Sequence, residues 1–375
     1  MLGLRLIRMP FILLNSVFLF FVLSCNSKPA QASPESEELV QSFRTHFQKL
    51  FRDGQFNGVV LLASNGRIIY QEALGLQNAQ TGRKLTKDSV FNLASVSKPI
   101  TATAILILAE EGKLSLDDPV SRYIPEVSAW GDGARDITIE QVLHHTSGLP
   151  DYEDLAEDYF SESQQETIVE FIDNADIRAM LTELKPGLQF VPGSEYSYSN
   201  TGYLVLADIV EKTSGMNFPT FLRSRIFQPA GMNFTSVCVG RNQPSNKALG
   251  FYIEDDRPYI HDVEYLDGIY GDGNICSTAE DLLKFDQALR NGKLLKTDLA
   301  TRAVEPGVLN NGETIDYGFG WELSEEGLAF HTGSWTGFRT YFIRDLQQGY
   351  TIIVLDNSSN EELYEQVDRL IEASF

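Results

Sequence analysis

Cysteine is scarce in this chain. Its 375 residues hold three, Cys25, Cys238 and Cys276, too few for a disulfide framework. Cys238 and Cys276 could pair in an exported protein, and two buried free thiols are the preferred expectation, with the pairing left open. No C-x-x-C and no H-E-x-x-H occurs, so the metal sites those spacings announce are not expected. Positive charge is short as well. Lys and Arg total 30 against 52 Asp and Glu, a net charge of −22. A nucleic-acid partner needs a basic stripe that displaces counterions, and none is present. The acidic surplus is that of a solvated surface. Nothing calls for a cofactor. What remains is 43% hydrophobic and 22% charged, a globular composition able to build a substantial core. The length allows one large domain or two smaller ones.

The first 25 residues do not belong to that core. "MLGLRLIRMPFILLNSVFLFFVLSC" places two arginines before an apolar stretch, the n-region and h-region of an export signal. Two cleavage signals compete. "VLSC" resembles a lipobox in which Cys25 is lipidated, and Ala30–Ala32 forms an A-x-A site. The lipobox is preferred because the apolar run ends at the cysteine. Residues 26–36 then form a polar tether. A retained transmembrane anchor is the third option. The expected product is an exported protein that meets the membrane only through an N-terminal lipid, or else is periplasmic or secreted.

"ESEELVQSFRTHFQKLF" carries Leu39, Phe43, Phe47, Leu50 and Phe51 at helical spacing. "GVVLLASNGRIIYQEALG" is two apolar runs around a turn, a hairpin signal. At the far end "YGFGWEL", "LAFHTGSWTGFRTYFIRD" and "YTIIVLDNS" suggest three strands, and "NEELYEQVDRLIEASF" a closing helix. The middle is mostly helical, with examples at "ITATAILILAEEGKL", "TIEQVLHHT", "ETIVEFIDN", "TGYLVLADIVEKTSG" and "AEDLLKFDQALRNGK". The expected fold is α+β, an α/β sandwich. Both chain ends (about 37–94 and 301–375) build an antiparallel sheet flanked by helices, and a mostly helical part (about 95–300) is inserted.

Three short stretches can carry chemistry. In "FNLASVSKPITATAILI", Ser95 and Lys98 lie at i and i+3 and share a helix face. A serine hydroxyl needs a partner for its proton, and a lysine with a burial-lowered pKa can be that partner. Ser97 points elsewhere. Pro99 cannot donate to the Ser95 carbonyl, so this first turn must be irregular. In "SEYSYSNTGYLVLADIV", Tyr198 offers a phenol and Asn200 an amide, and Asn200 is a candidate helix N-cap. In "AFHTGSWTGF", His331 and Thr332 can bind a substrate carboxylate on a strand. Gly333 leaves room for another backbone, and the Ser334 amide can join that of Ser95 as an oxyanion hole. Each stretch alone is a weak signal.

In the order S-x-x-K, Y-x-N, H-T-G they resemble the serine β-lactamase and penicillin-binding-protein superfamily. More narrowly, they resemble the branch that holds class C β-lactamases, D-alanyl-D-alanine carboxypeptidases, D-aminopeptidases and related esterases. "ITIEQVLHHTSGLPDY" and "YGDGNICSTAEDLLKF" resemble two further recurrent segments of that branch, so the likeness spans about residues 40 to 375. It implies a nucleophile at Ser95 and a proton-shuttling pair in Lys98 and Tyr198. It implies substrate binding by Asn200, His331, Thr332 and Gly333, and an oxyanion hole from the Ser95 and Ser334 amides. His144 and His145 are taken as loop anchors. H-T-G replaces the K-T-G usual in class C β-lactamases, and a neutral histidine weakens carboxylate binding there.

The function this implies is an exported serine hydrolase acting through an acyl-enzyme on amide, peptide or ester substrates, of the carboxypeptidase or D-aminopeptidase kind. A β-lactamase or short-chain esterase of the same family is the alternative. A non-catalytic binder of muropeptides or penicillins is the alternative of another class. An α/β-hydrolase is disfavoured, because G-x-S-x-G and strand–helix alternation are missing. The oligomeric state is left open.

Overall fold

The computed structural model describes residues 34–160, 171–241, 243–255 and 257–374. The apolar leader, Cys25 and most of the tether lie outside them. Helix α1 (Pro34–Arg52) starts inside the expected tether. It buries Leu39, Phe43, Phe47 and Leu50 on one stripe and leaves Phe51 39% exposed. Strands β1 (Gly58–Ser64) and β2 (Arg67–Leu74) follow. Asn65 and Gly66 join them with φ of 48 and 75, the left-handed pair whose twist matches a hairpin.

The chain then runs through β3 (Phe91–Asn92), a 3₁₀ turn (Ala94–Ser97) and α2 (Lys98–Glu110). Next come α3 (Ile139–Leu143), α4 (Tyr152–Tyr159), α5 (Asn174–Leu184) and α6 (Asn200–Ser214). The helix expected over residues 166–174 lies mostly outside the described residues. Within them α5 begins at Asn174, capped by Asp173. Short strands β4 (Ser236–Val237) and β5 (Ile275–Ser277) lead to α7 (Ala279–Arg290). Strands β6 (Glu322–Leu323), β7 (Leu328–Trp335), β8 (Phe338–Asp345) and β9 (Tyr350–Asp356) precede the closing α8 (Leu363–Glu372).

Six strands form the main antiparallel sheet in the order β6-β7-β8-β9-β1-β2. The amino-terminal β1 pairs along its whole length with the carboxy-terminal β9, from Gly58 opposite Asp356 to Ser64 opposite Tyr350. Alternate residues of β1 serve the two faces. Val60 and Leu62 meet Phe43, Phe47 and Val367 of α1 and α8. Val59, Leu61 and Ala63 meet the large core that includes Phe285 of α7.

The three strands expected near the end are four. Thr336 takes a φ of 45, and the chain folds back there into the β7–β8 hairpin. Threonine is a poor resident of that region, which hid the turn. Helix α7, expected in the inserted part, packs on the sheet instead. The free thiols are also corrected. Cys238 and Cys276 form a disulfide with their Cα atoms 5.7 Å apart. β4 pairs with β5, Val237 opposite Ile275, and that register makes the two cysteines neighbours.

One buried ion cluster ties α7 to the sheet. Asp286 accepts from Arg344 Nε of β8 at 2.6 Å, Thr351 Oγ1 of β9 at 2.6 Å and Arg290 Nε at 2.9 Å. Those donors hold its carboxyl below the ordinary value against its burial. Asp286→Asn would leave Arg344 buried beside a neutral group. A loss of about 3–5 kcal/mol is expected in urea unfolding. Because the folded-state pKa is depressed, wild type keeps this contribution above the ordinary carboxylate range and loses it as pH falls through the folded value. The wild-type advantage over the variant should accordingly shrink in acid.

Candidate active site

The site begins with a strained turn. Leu93 N–H donates to Ile275 O of β5 at 2.8 Å. Asn92 Oδ1 takes the Ala94 N–H at 2.9 Å, and Asn92 Nδ2 donates to Asn274 Oδ1 at 3.0 Å. Ala94 is forced to a φ of 49, a region that disfavours a Cβ. The 3₁₀ turn that follows repeats every three residues, so Ser95 and Lys98 stack directly. Lys98 Nζ lies 3.0 Å from Ser95 Oγ. Pro99 fits because Lys98 N–H has already taken the Ser95 carbonyl. That is the irregular turn its missing donor requires. Ser97 is buried outside the cleft, its Oγ accepting from Ile275 N–H.

Lys98 is fully buried. Its other two N–H groups go to Asn200 Oδ1 at 2.7 Å and Asp272 O at 2.9 Å. Burial holds its pKa below the ordinary value, opposed by Asp272, Glu153 and Asp151. Its Nζ sits 4.8 Å from the centroid of the Tyr198 ring. Burial keeps the Tyr198 phenol well above the usual value, with Ser95 opposing.

The Tyr198 loop is held from below. Ser197 N–H donates to His145 O and Ser199 N–H to His145 Nδ1, each at 3.0 Å. Ser199, not Asn200, is the N-cap of α6, accepting from Gly202 N–H. A hydroxyl one residue earlier reaches the free amides, which leaves the Asn200 amide for Lys98 and for Glu153 Oε1 at 3.1 Å. His144 anchors its loop to Tyr317 O at 2.9 Å. Neither histidine lines the cleft.

On β7, an added Cβ at Gly333 would stand 2.4 Å from Leu93 O and 3.1 Å from Ser95 N. Only glycine lets this strand lie against the serine turn. His331 and Thr332 share the cleft wall with Ser95 and Ser334. The carboxylate clamp expected of His331 is not built. His331 is 1% exposed and burial pushes it down to about 3. Its partners fix one tautomer throughout a chain. His145 Nδ1 accepts from Ser199, so His145 Nε2–H donates to Tyr317 Oη at 3.1 Å. Tyr317 O–H donates to His331 Nε2 at 3.0 Å, and His331 Nδ1–H to Thr332 O at 2.6 Å. Both histidines are neutral and occupied.

The result is a cleft of about 380 Å³ that holds Ser95, Tyr198, Asn200, His331, Thr332 and Ser334 on its walls, with Lys98 beneath. Sequence reading missed Tyr317, which links the second and third stretches, and the acids Glu153, Asp272 and Glu322. Tyr317 lies in an ordinary apolar segment and Glu153 in an acidic run, while Asp272 lies in the quoted "YGDGNICSTAEDLLKF", whose residues were read as structural.

The beta-lactamase family model matches residues 43–374. Penicillin-binding protein 4* of Bacillus subtilis (strain 168) is 40% identical over 87% of this chain and 74% of its own length. A penicillin binding protein from Bacillus halodurans aligns with a TM-score of 0.73 at 26% identity, covering 88% of this chain and 99% of that one. The D-amino acid amidase from Ochrobactrum anthropi SV3, complexed with L-phenylalanine amide, gives 0.74 at 25% identity, covering 90% and 98%.

Tyr317→Phe removes the link between His145 and His331. The maximal rate of labelling by a fluorophosphonate should fall about 10-fold or more, because small misplacements of reacting groups are costly. The half-saturating probe concentration should hold. A variant that loses only thermal stability would show Tyr317 to be plain core.

Proposed function

Because the chain belongs to the beta-lactamase family of serine hydrolases, we propose that it cleaves amide or peptide bonds of D-amino-acid compounds through an acyl-enzyme on Ser95. The observation that carries this is the convergence at Ser95 Oγ. Lys98 Nζ stands 3.0 Å from it, and Tyr198 lines the same cleft with its ring centroid 4.8 Å from that nitrogen. Burial lowers the lysine and raises the tyrosine. The neutral amine is therefore the accessible base and the phenol the proton carrier.

In the forward step Ser95 Oγ bonds to the substrate carbonyl carbon and its proton passes to Lys98. The carbonyl oxygen becomes an oxyanion beside the Ser95 and Ser334 amides. Tyr198 gives its proton to the leaving nitrogen and recovers one from Lys98 as the C–N bond breaks. Water then attacks the ester by the same path reversed, releasing the acid and restoring Ser95. Asn200 orients the acyl portion while holding Lys98. With His331 neutral, the third motif contributes backbone and hydroxyl rather than charge, which favours peptidase or amidase over β-lactamase action.

The same reading places the protein outside the cytoplasm, tethered through Cys25. The charged and apolar leader supports it, and so does a buried Cys238–Cys276 disulfide, a bond of oxidising compartments. Cys25→Ser is expected to move the protein from the membrane to the soluble fraction. Intact mass after fluorophosphonate treatment tests the acyl-enzyme. Wild type should gain one adduct and Ser95→Ala none, with D-amino-acid amide turnover falling about 10³-fold or more in the variant. Equal labelling of Ser95→Ala would refute the assignment. Labelling should also rise with pH, with a midpoint below that of an ordinary lysine.

A further inference from the structure

The closing helix α8 also reaches the cleft, although none of the three chemical stretches belongs to it. Tyr364 stands in its first turn and lines the cleft with Thr332 and Ser334. The Tyr364 hydroxyl donates to Gly333 O at 2.7 Å. Burial raises this phenol, so it keeps its proton near neutrality. Its ring meets Tyr341 of β8 edge-on, with centroids 5.8 Å apart. Tyr341 O–H in turn donates to Asp368 Oδ1, one turn further along α8, at 2.8 Å. Ring and hydroxyl of Tyr364 are thus both held.

The register of the β7–β8 hairpin fixes where the neighbouring Ser334 amide points. Partners in an antiparallel pair alternate between those that exchange hydrogen bonds and those that do not. The two-residue loop Thr336-Gly337 closes on Trp335 opposite Phe338, the bonded pair of a tight turn. Ser334 opposite Arg339 is then a non-bonded pair, and Gly333 opposite Thr340 a bonded one. The Gly333 carbonyl therefore points toward β8, where Thr340 Oγ1 also reaches it at 3.4 Å. The Ser334 N–H points the other way, into the cleft. Thr332, two residues earlier, obeys the same alternation. Its N–H turns away from β8 and donates to the Glu322 carboxylate.

Gly333 O and Ser334 N–H belong to one peptide unit. That unit is planar and trans, so its C=O and N–H point in opposite directions and turn together. A donor on the oxygen also draws electrons from the nitrogen, and such chains strengthen each bond by roughly 10–30%. We propose that Tyr364 is a positioning residue for the oxyanion hole. Its hydroxyl grips the Gly333–Ser334 peptide from behind, aims the Ser334 N–H at the substrate's carbonyl oxygen and makes it a stronger donor. Gly333 creates the need for that grip. It has no Cβ to restrict its rotation, and it cannot gain one, because a Cβ there would meet Leu93 O at 2.4 Å. The inference rests on Ser95 being the acylated residue. Tyr364 itself takes no part in proton transfer.

Matched esters test this. p-Nitrophenyl acetate and O-p-nitrophenyl thionoacetate differ in the atom that becomes the anion, and sulfur is the weaker acceptor. The ratio of their acylation rates at Ser95 therefore reads the strength of the hole. Tyr364→Phe keeps the ring and loses the hydroxyl. Its acylation by the oxo ester should slow about 10-fold at saturation, less than the roughly 10²–10³ that loss of a whole donor costs. The half-saturating concentration should hold, and the oxo-to-thiono ratio should shrink. Fluorophosphonate labelling, whose P=O oxygen enters the same hole, should slow alongside. Tyr341→Phe releases α8 from its Asp368 bond but leaves the Tyr364 hydroxyl in place. It should lose thermal stability and keep the ratio. 3-Fluorotyrosine at position 364, a stronger donor of nearly the same shape, should match or exceed the wild-type ratio. An unchanged ratio in Tyr364→Phe, an equal drop in Tyr341→Phe, or a drop with the fluorinated side chain would overturn the role of Tyr364 and leave the acyl-enzyme standing. A wild-type Ser95 that fluorophosphonate does not label would bring down both.

Discussion

A buried ammonium organises this protein. Lys98 has lost its water, and an unpaired ion in such a place is costly by several kcal/mol. Its three N–H groups therefore need three acceptors, and the fold supplies them from distant parts of the chain. Ser95 comes from its own turn, Asn200 from the start of α6, and the Asp272 carbonyl from the loop before β5. Moving any of these elements would strand the charge. The ion is thus a structural node as much as a chemical group, and the same burial that demands partners lowers its pKa toward use as a base.

Several local violations gather around that node. Ala94 is held in the left-handed region, β7 is stripped to a glycine at Gly333, and a proline follows the lysine. Each would weaken an isolated element. Together they allow a turn, a helix and a strand to meet within van der Waals contact. The surrounding structure over-determines the strain. Asn92 and Asn274 bond each other beside Ala94, and the Cys238–Cys276 link fastens β4 to β5 behind them. Departures from local rule concentrated at one place, with reinforcement next to it, are what a reactive site requires.

What could be read from the sequence was what local rules or contiguous motifs encode. The Asn65-Gly66 turn, the stripe of Leu39, Phe43 and Phe47, and the sheet shared by the chain ends follow from periodicity and turn chemistry. Ser95 and Lys98 were visible because their spacing is itself the geometry. The turn at Thr336 was not, since a β-branched residue there contradicts its propensity. The disulfide was not, because only the register of β4 on β5 brings Cys238 to Cys276. Tyr317, Glu153 and Asp272 act through contacts made across the fold; Asp272 lies inside one of the recurrent segments and Glu153 directly after the other, but nothing in those segments told which side chains reach the site.

His331 shows how one side chain redefines a site without moving its backbone. A lysine at that position would bring a charge to the wall of the cleft. The histidine instead turns inward, gives its Nδ1 proton to Thr332 O and takes one from Tyr317 at Nε2. Tyr317 in turn accepts from His145, which holds the Tyr198 loop. The residue has exchanged electrostatic attraction for mechanical connection between the two halves of the site. With that side chain neutral, β7 brings no charge of its own to the cleft, and Lys98 beneath it is the ammonium that opposes Glu153 and Asp272.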